Sequence, residues 1–208
     1  MESVLKDMNP VLQMLTVMTM FSLLPFVFCC MTCFLRFTIV FSLLKTAMGV
    51  QVPPSIVTIG LCMILTFYTM GGVFEKMYEK GSIPYQKSGN IMLAIDEGSK
   101  PLKEFMLKQT RESDLAFFVE LKRKTMPKSP EDITMWEVAP AYILSELKVA
   151  FEIGFVVFVP FIVLDLVVAN ILLALGMFML SPTIISLPFK LLIFIAVDGQ
   201  AGTRGNHP

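Results

Sequence analysis

The 208-residue chain has one histidine, one tryptophan and four cysteines, and only 16% of its residues are charged. A soluble domain carries about 25% charge. Each scarcity excludes something. One His and few Cys leave little material for a His-based catalytic centre or a conventional metal site. Seventeen Lys and Arg balance seventeen Asp and Glu, so no cationic excess is available to neutralise phosphates, and a basic nucleic-acid-binding surface is excluded. No nucleophile–base pair, phosphate-binding Gly-rich loop or Walker motif occurs. The chain is therefore not read as an enzyme, and no cofactor or metal is expected. What is abundant is apolar: 55% of residues are hydrophobic, with 18 Phe and 16 Met, and the mean hydropathy is +0.70. That excludes intrinsic disorder and points to a membrane protein.

Charge is concentrated between Glu75 and Glu152, so the chain reads apolar, polar, apolar. Residues 11–35 carry no charge, and a helix needs about 20 apolar residues to cross about 30 Å of hydrocarbon. Residues 46–74 are also uncharged, but Pro53-Pro54 cannot sit inside a regular helix, so a second span is expected over 55–73. A third follows Pro140, a plausible first helical residue, and runs to Leu175. A shorter fourth covers 184–197. The expected fold is an all-α membrane protein: an N-terminal apolar hairpin (1–74), a polar helical domain (75–139), a C-terminal apolar hairpin (140–199) and a polar tail (200–208). Arg36 and Lys45 in the first connection and Lys190 near the second turn place both turns in the cytoplasm, with the polar domain and both termini outside. The first residues mix Glu2, Lys6 and Asp7, unlike a positively charged signal n-region, so the first span is read as retained.

Within the polar segment, Pro101 is expected to start a helix with Leu102, Phe105 and Met106 on one face. Ser113 is a candidate N-cap for a second helix carrying Leu115, Phe118 and Val119. Lys122-Arg123-Lys124 would suit its C-terminal dipole, and residues 126–130, with two prolines, read as a loop.

Four constellations carry chemical interest. Cys30-Met31-Thr32-Cys33 has C-x-x-C spacing, but no second pair or nearby His completes a site; Cys29, Cys30, Cys33 and Cys62 read as small hydrophobes at helix interfaces. Asp165 and Lys190 lie about equally far from a turn centred near Met177-Phe178. Charges in membrane segments usually face protein or a water path, so these two pair within the hairpin, pair with a neighbouring subunit, or serve an ion relay. Glu146, Lys148 and Glu152 mark the start of the third span, either as a solvated helix end or as a subunit contact. Finally, Gly176 and Pro182 break the chain around Met177-Phe178-Met179, a turn that is bulky and apolar where a polar one is usual. It reads as hairpin packing or as a hydrophobic constriction built on adaptable methionine.

Several stretches together resemble a known family. Thr32-Cys33-Phe34-Leu35-Arg36-Phe37-Thr38-Ile39-Val40, then Ala47-Met48-Gly49-Val50-Gln51 with Pro53-Pro54, resembles its N-terminal signature. Asp96-Glu97-Gly98 matches its central domain. Residues 142–155 (YILSELKVAFEIGF) and 159–199 are very similar to its C-terminal signature. By this resemblance, covering about residues 10–199, the chain is identified as a member of the FliP/SctR family of type III secretion export-gate proteins of flagella and injectisomes. The resemblance implies a pentameric, cone-like assembly with FliQ/SctS-like and FliR/SctT-like membrane subunits in the bacterial inner membrane, displaced toward the periplasm. It implies passage of unfolded proteins through the centre, and a methionine-rich gate corresponding to Met177, Phe178 and Met179, with Gly176 and Pro182 as the helix breaks. Helices facing other subunits would revise the simple bilayer topology. The runner-up functions are a structural scaffold whose partners make the pore, and a small-molecule or ion transporter, for which Asp165 and Asn170 are meagre. The chain departs from the family after Asp198-Gly199, where Trp and an apolar tail are usual. The lack of a recognisable signal leans toward the injectisome branch.

Overall fold

A computed structural model describes residues 9–89, 91–122 and 132–203. The described residues form seven helices and no strand: α1 (Pro10–Met31), α2 (Phe34–Met48), α3 (Ser55–Ser88), α4 (Ile91–Gln109), α5 (Glu112–Lys122), α6 (Met135–Ala174) and α7 (Pro182–Thr203). The all-α class follows. Helices α1, α3 and α6 contain stretches long and apolar enough to span a bilayer, and α7 adds a shorter apolar segment over Pro182–Ala196. By contact grouping the chain makes two compact units, one of Met1–Leu35 with Met63–Leu147, the other of Arg36–Cys62 with Lys148–Pro208.

Local chemistry explains the boundaries. Asn9 caps α1 through its side-chain oxygen on Val11 N, with Pro10 in the first helical position. Threonines inside apolar helices return their hydroxyls to the carbonyl four residues back, Thr16 to Leu12 and Thr69 to Leu65. These two hydroxyls are then paired within their own helices rather than left bare in an apolar setting. Thr32 ends α1 with extended backbone, and its hydroxyl accepts from Phe34 N at 3.3 Å, which starts α2.

The connection carrying Arg36 and Lys45, expected as a turn, is therefore mostly helix, because a cap four residues before the Pro53-Pro54 break leaves room for fifteen helical residues. α3 also runs on past residue 73 to Ser88, since nothing in Glu75-Lys76-Met77-Tyr78 stops a helix.

In the first unit the core is Met106, Val119, Ile133, Val138 and Tyr142, flanked by Leu102, Phe105 and Leu115. Phe105 meets the Tyr142 ring edge-on, centroids 6.2 Å apart. Gly81 of α3 and Gly98 of α4 let those backbones touch: a Cβ at Gly98 would stand 3.3 Å from the Met77 carbonyl oxygen.

Two expected helix starts shift. Pro101 lies inside α4 and is buried, ten residues after Ile91; packing against the core outweighs one lost backbone bond. For α5 the cap is Arg111 rather than Ser113. Its carbonyl accepts Asp114 N and Leu115 N, and its own N–H is taken by Ser145 Oγ at 3.0 Å, which in turn donates to Asp114 Oδ2 at 2.8 Å. Arg123, Lys124 and the expected loop at 126–130 lie outside the described residues.

α6 begins at Met135, five residues before Pro140. Thr134-Met135-Trp136-Glu137 forms the reach-back half of a capping box. Glu137 Oε2 accepts Thr134 N at 2.6 Å and Thr134 Oγ1 at 2.8 Å, and the carboxylate is buried with Lys122 Nζ 3.7 Å away. Glu137→Ala removes the cap and strands the Thr134 N–H, a loss of about 1–2 kcal/mol. Glu137→Gln, which keeps an acceptor, loses less. Thermal unfolding of the purified protein ranks the two; equal midpoints would mean the box does not hold the helix start.

Candidate functional site

Helix α6 stops in a Schellman motif. Gly176, at φ +72°, donates to the Leu173 carbonyl at 3.1 Å, and Met177 N donates to the Leu172 carbonyl at 2.9 Å. Only a residue tolerant of left-handed backbone closes both bonds without strain. Six residues later Pro182 opens α7 at its first position. Between these stops Met177, Phe178 and Met179 are all exposed, Met179 to 98%. Both ends of the loop are thus fixed by backbone chemistry, while its side chains are large, apolar and without contacts that bury them in the single chain.

Behind the loop lies a buried polar node in the second unit. Lys190 of α7 is 1% exposed. Its ammonium donates to Asp165 Oδ2 of α6 at 2.8 Å and to the Ala47 carbonyl at the end of α2 at 2.9 Å. Ser186, one turn before Lys190, donates to the other oxygen of Asp165. Asp165 keeps partial contact with the surface, its side chain 32% exposed. The Ala47 carbonyl is one of the four that a helix C-terminus leaves without an intrahelical donor, so a cation there also suits the helix dipole. Sequence reasoning singled out the two charges and missed Ser186, Ala47 and Gly49. The signals were present: Ser186 and Lys190 are four residues apart on one face of a helix, and Gly49 precedes the Pro-Pro break.

The other singled-out residues stand apart from this node. Glu146, read as part of a solvated helix end or of a subunit contact, is fully buried within the chain, because α6 starts well upstream at Met135. Lys148 and Glu152 are exposed on α6. Cys29 and Cys30 are half-buried, Cys33 and Cys62 buried, and all four are free thiols. Among the described residues no group of His, Cys, Asp and Glu is placed to hold a metal.

The node predicts an asymmetric mutational response. Asp165→Ala leaves a buried ammonium without its counter-charge, a loss of about 3 kcal/mol or more. Lys190→Met leaves a carboxylate that still has Ser186 and some solvent, and costs less. The double variant recovers part of the loss, read as yield of folded, assembled protein. An additive double variant would mean that the two charges do not depend on each other.

Comparison with known proteins gives this architecture its relatives. The FliP family profile matches residues 17–204. The flagellar biosynthetic protein FliP of Pectobacterium carotovorum subsp. carotovorum is 46% identical over 189 residues, covering 90% of this chain and 73% of that protein. FliP of Bacillus subtilis (strain 168) is 40% identical, covering 93% and 89% respectively. Yop proteins translocation protein R of Yersinia pestis is 38% identical over 204 residues, covering 94% and 93%. Against some relatives the chain spans about half the length, 53% and 50% for two Buchnera aphidicola FliP proteins. With a family match over nearly the whole chain, and three membrane-span-capable helices, this multi-pass membrane protein belongs to the FliP family, whose members are components of secretion apparatus and not enzymes.

Proposed function

We propose that the chain is a subunit of the protein-export pore of a type III secretion apparatus, and that its Met177-Phe178-Met179 loop closes the channel at rest. The observation that carries this reading is the loop itself: three large apolar side chains, exposed, on a short segment whose two ends are rigidly stopped. A soluble turn would be polar. In a ring of identical chains such loops converge on the axis, exclude water and seal by dewetting, since an ion there loses its hydration. Methionine's unbranched side chain has several low-energy rotamers, so the plug parts around a passing unfolded polypeptide and reseals.

The reading includes a homo-oligomer, pentameric by family resemblance, with FliQ/SctS-like and FliR/SctT-like membrane subunits in the bacterial inner membrane. Identities of 46% and 40% to flagellar relatives against 38% to the Yop protein favour the flagellar branch, against the lean taken from the N-terminus. A scaffold whose partners alone line the pore is separated by crosslinking: a cysteine in the loop reaches a stalled substrate only if this chain lines the lumen.

Conductance of the resting complex tests the seal. Met177→Ala combined with Met179→Ala leaks small ions while still exporting protein, because the constriction is wider but the loop ends are intact. Deletion of residues 177–179 leaks more. Unchanged conductance after that deletion would place the seal elsewhere.

A further inference from the structure

Three helices of the second unit meet at the end of α2, and two of their contacts lie on one face of α7. Thr183, Ser186 and Lys190 are spaced i, i+3, i+7, within a narrow arc of that helix. Ser186 and Lys190 hold Asp165, and Lys190 holds the Ala47 carbonyl. At the near end of the same face, the Thr183 methyl packs against Gly49. A Cβ built on Gly49 would stand 2.7 Å from Thr183 Cγ2, closer than real carbon contacts come. Gly49 also sits at φ +70°, where its N–H donates to the Thr46 carbonyl at 3.0 Å and closes α2. Thr183 is the second residue of α7 and lies four positions after Met179.

We infer that Gly49 is a positioning residue for the loop between α6 and α7: the Ala47-Met48-Gly49 turn is the seat against which the first turn of α7 is set. The inference rests on reading that loop as the gate. The loop is only six residues from Gly176 to Ser181, so its exit cannot be displaced without moving Met179. On the α6 side the Schellman motif fixes the departure of the chain. On the α7 side, Pro182 fixes a backbone angle but not the position of the helix. Two other groups do that: Lys190, two turns along, and the Gly49–Thr183 contact beside the loop. Lys190 sets α7 on α2 and α6 at a distance of about 12 Å from the loop, at 1.5 Å per residue. The Gly49 contact sets its end. Any side chain at position 49 pushes on Thr183 and tilts the helix start about the Lys190 anchor, which opens the seal without touching a gate side chain.

The test uses the assembled complex in a membrane, with resting ion conductance and yield of co-purified complex as readouts. Gly49→Ala raises resting conductance several-fold. Adding Thr183→Ser removes the one methyl that the new Cβ meets, so the Gly49→Ala/Thr183→Ser complex returns most of the way to the wild-type seal, although the strained backbone angle remains. If Gly49→Ala blocks assembly, the double variant decides: regained assembly with a tight seal supports the contact, and no recovery overturns it. A Gly49→Ala complex that assembles and seals like wild type also overturns it, as does a double variant that leaks like the single one. Deletion of residues 177–179, measured in parallel, separates the two readings. If the deletion leaks and Gly49→Ala does not, positioning fails and the gate stands. If the deletion does not leak, the gate reading itself fails.

Discussion

An ammonium group buried to 1% exposure inside an apolar chain is the constraint on which the second unit depends. Taking a lone charge out of water costs several kcal/mol even after relaxation, so Lys190 must find acceptors wherever it goes. It finds two: a carboxylate on α6 and the last-turn carbonyl of α2. That carbonyl has its own deficit, since the helix end gives it no donor. One cation thus removes two penalties, and it does so only when three helices stand in one arrangement. Apolar contact alone would not single out that arrangement. Leu, Ile and Val faces slide over one another at little cost when lipid or another apolar face is the alternative, whereas a buried ion pair has few acceptable geometries.

The turns then convert a fixed scaffold into a presented loop. Each uses a residue whose backbone does what others cannot: Gly49 and Gly176 take the left-handed angle, and Pro182 supplies a first helical position that needs no N–H. Rigid ends and compliant side chains are separate requirements, met by separate residues. A seal made from the backbone would be too stiff to part around different polypeptides. A seal made from unanchored loops would have no defined closed state. On the proposed gate reading, methionine and phenylalanine between a Schellman stop and a proline start would satisfy both.

Much of this was legible in the sequence, and the parts that were not share a cause. The apolar spans, the break at Gly176 and Pro182, and the two isolated charges are signals carried by single residues or by composition over about 20 positions. What escaped was decided by packing or by distant partners. Pro101 reads as a helix start and is instead inside α4, because burial of Met106 and its neighbours against Val119 and Tyr142 outweighs one missing hydrogen bond. Ser113 has the right chemistry for a cap, but Arg111 takes the position once Ser145, over thirty residues away, accepts its N–H. A solvated helix end was one of two readings of Glu146, the other a subunit contact, because α6 seemed to begin at Pro140. Thr134 and Glu137, a capping box readable from spacing alone, move that start upstream and carry Glu146 into a buried turn. The Ala47 carbonyl could not be found from side-chain identity at all, since every residue has one.

The same logic explains why so little of the chain's hydrophobicity is spent on its own core. Val11, Phe21, Phe155, Leu166, Ile184 and Phe194 remain exposed, and a soluble monomer rarely leaves contiguous apolar surface on this scale. In a membrane protein that surface is not a liability, because lipid or apolar subunits can cover it, but neither does it specify a fold. Specification falls to the scarce polar groups. In the first unit these are the Asp114–Ser145–Arg111 chain and the Thr134–Glu137 box; in the second, the Lys190 node. Each links residues on different helices or fixes where a helix begins, and each has a geometry that hydrocarbon packing lacks. A chain with 16% charge can therefore have a definite shape, provided that the few polar side chains inside it are placed where the helices must meet.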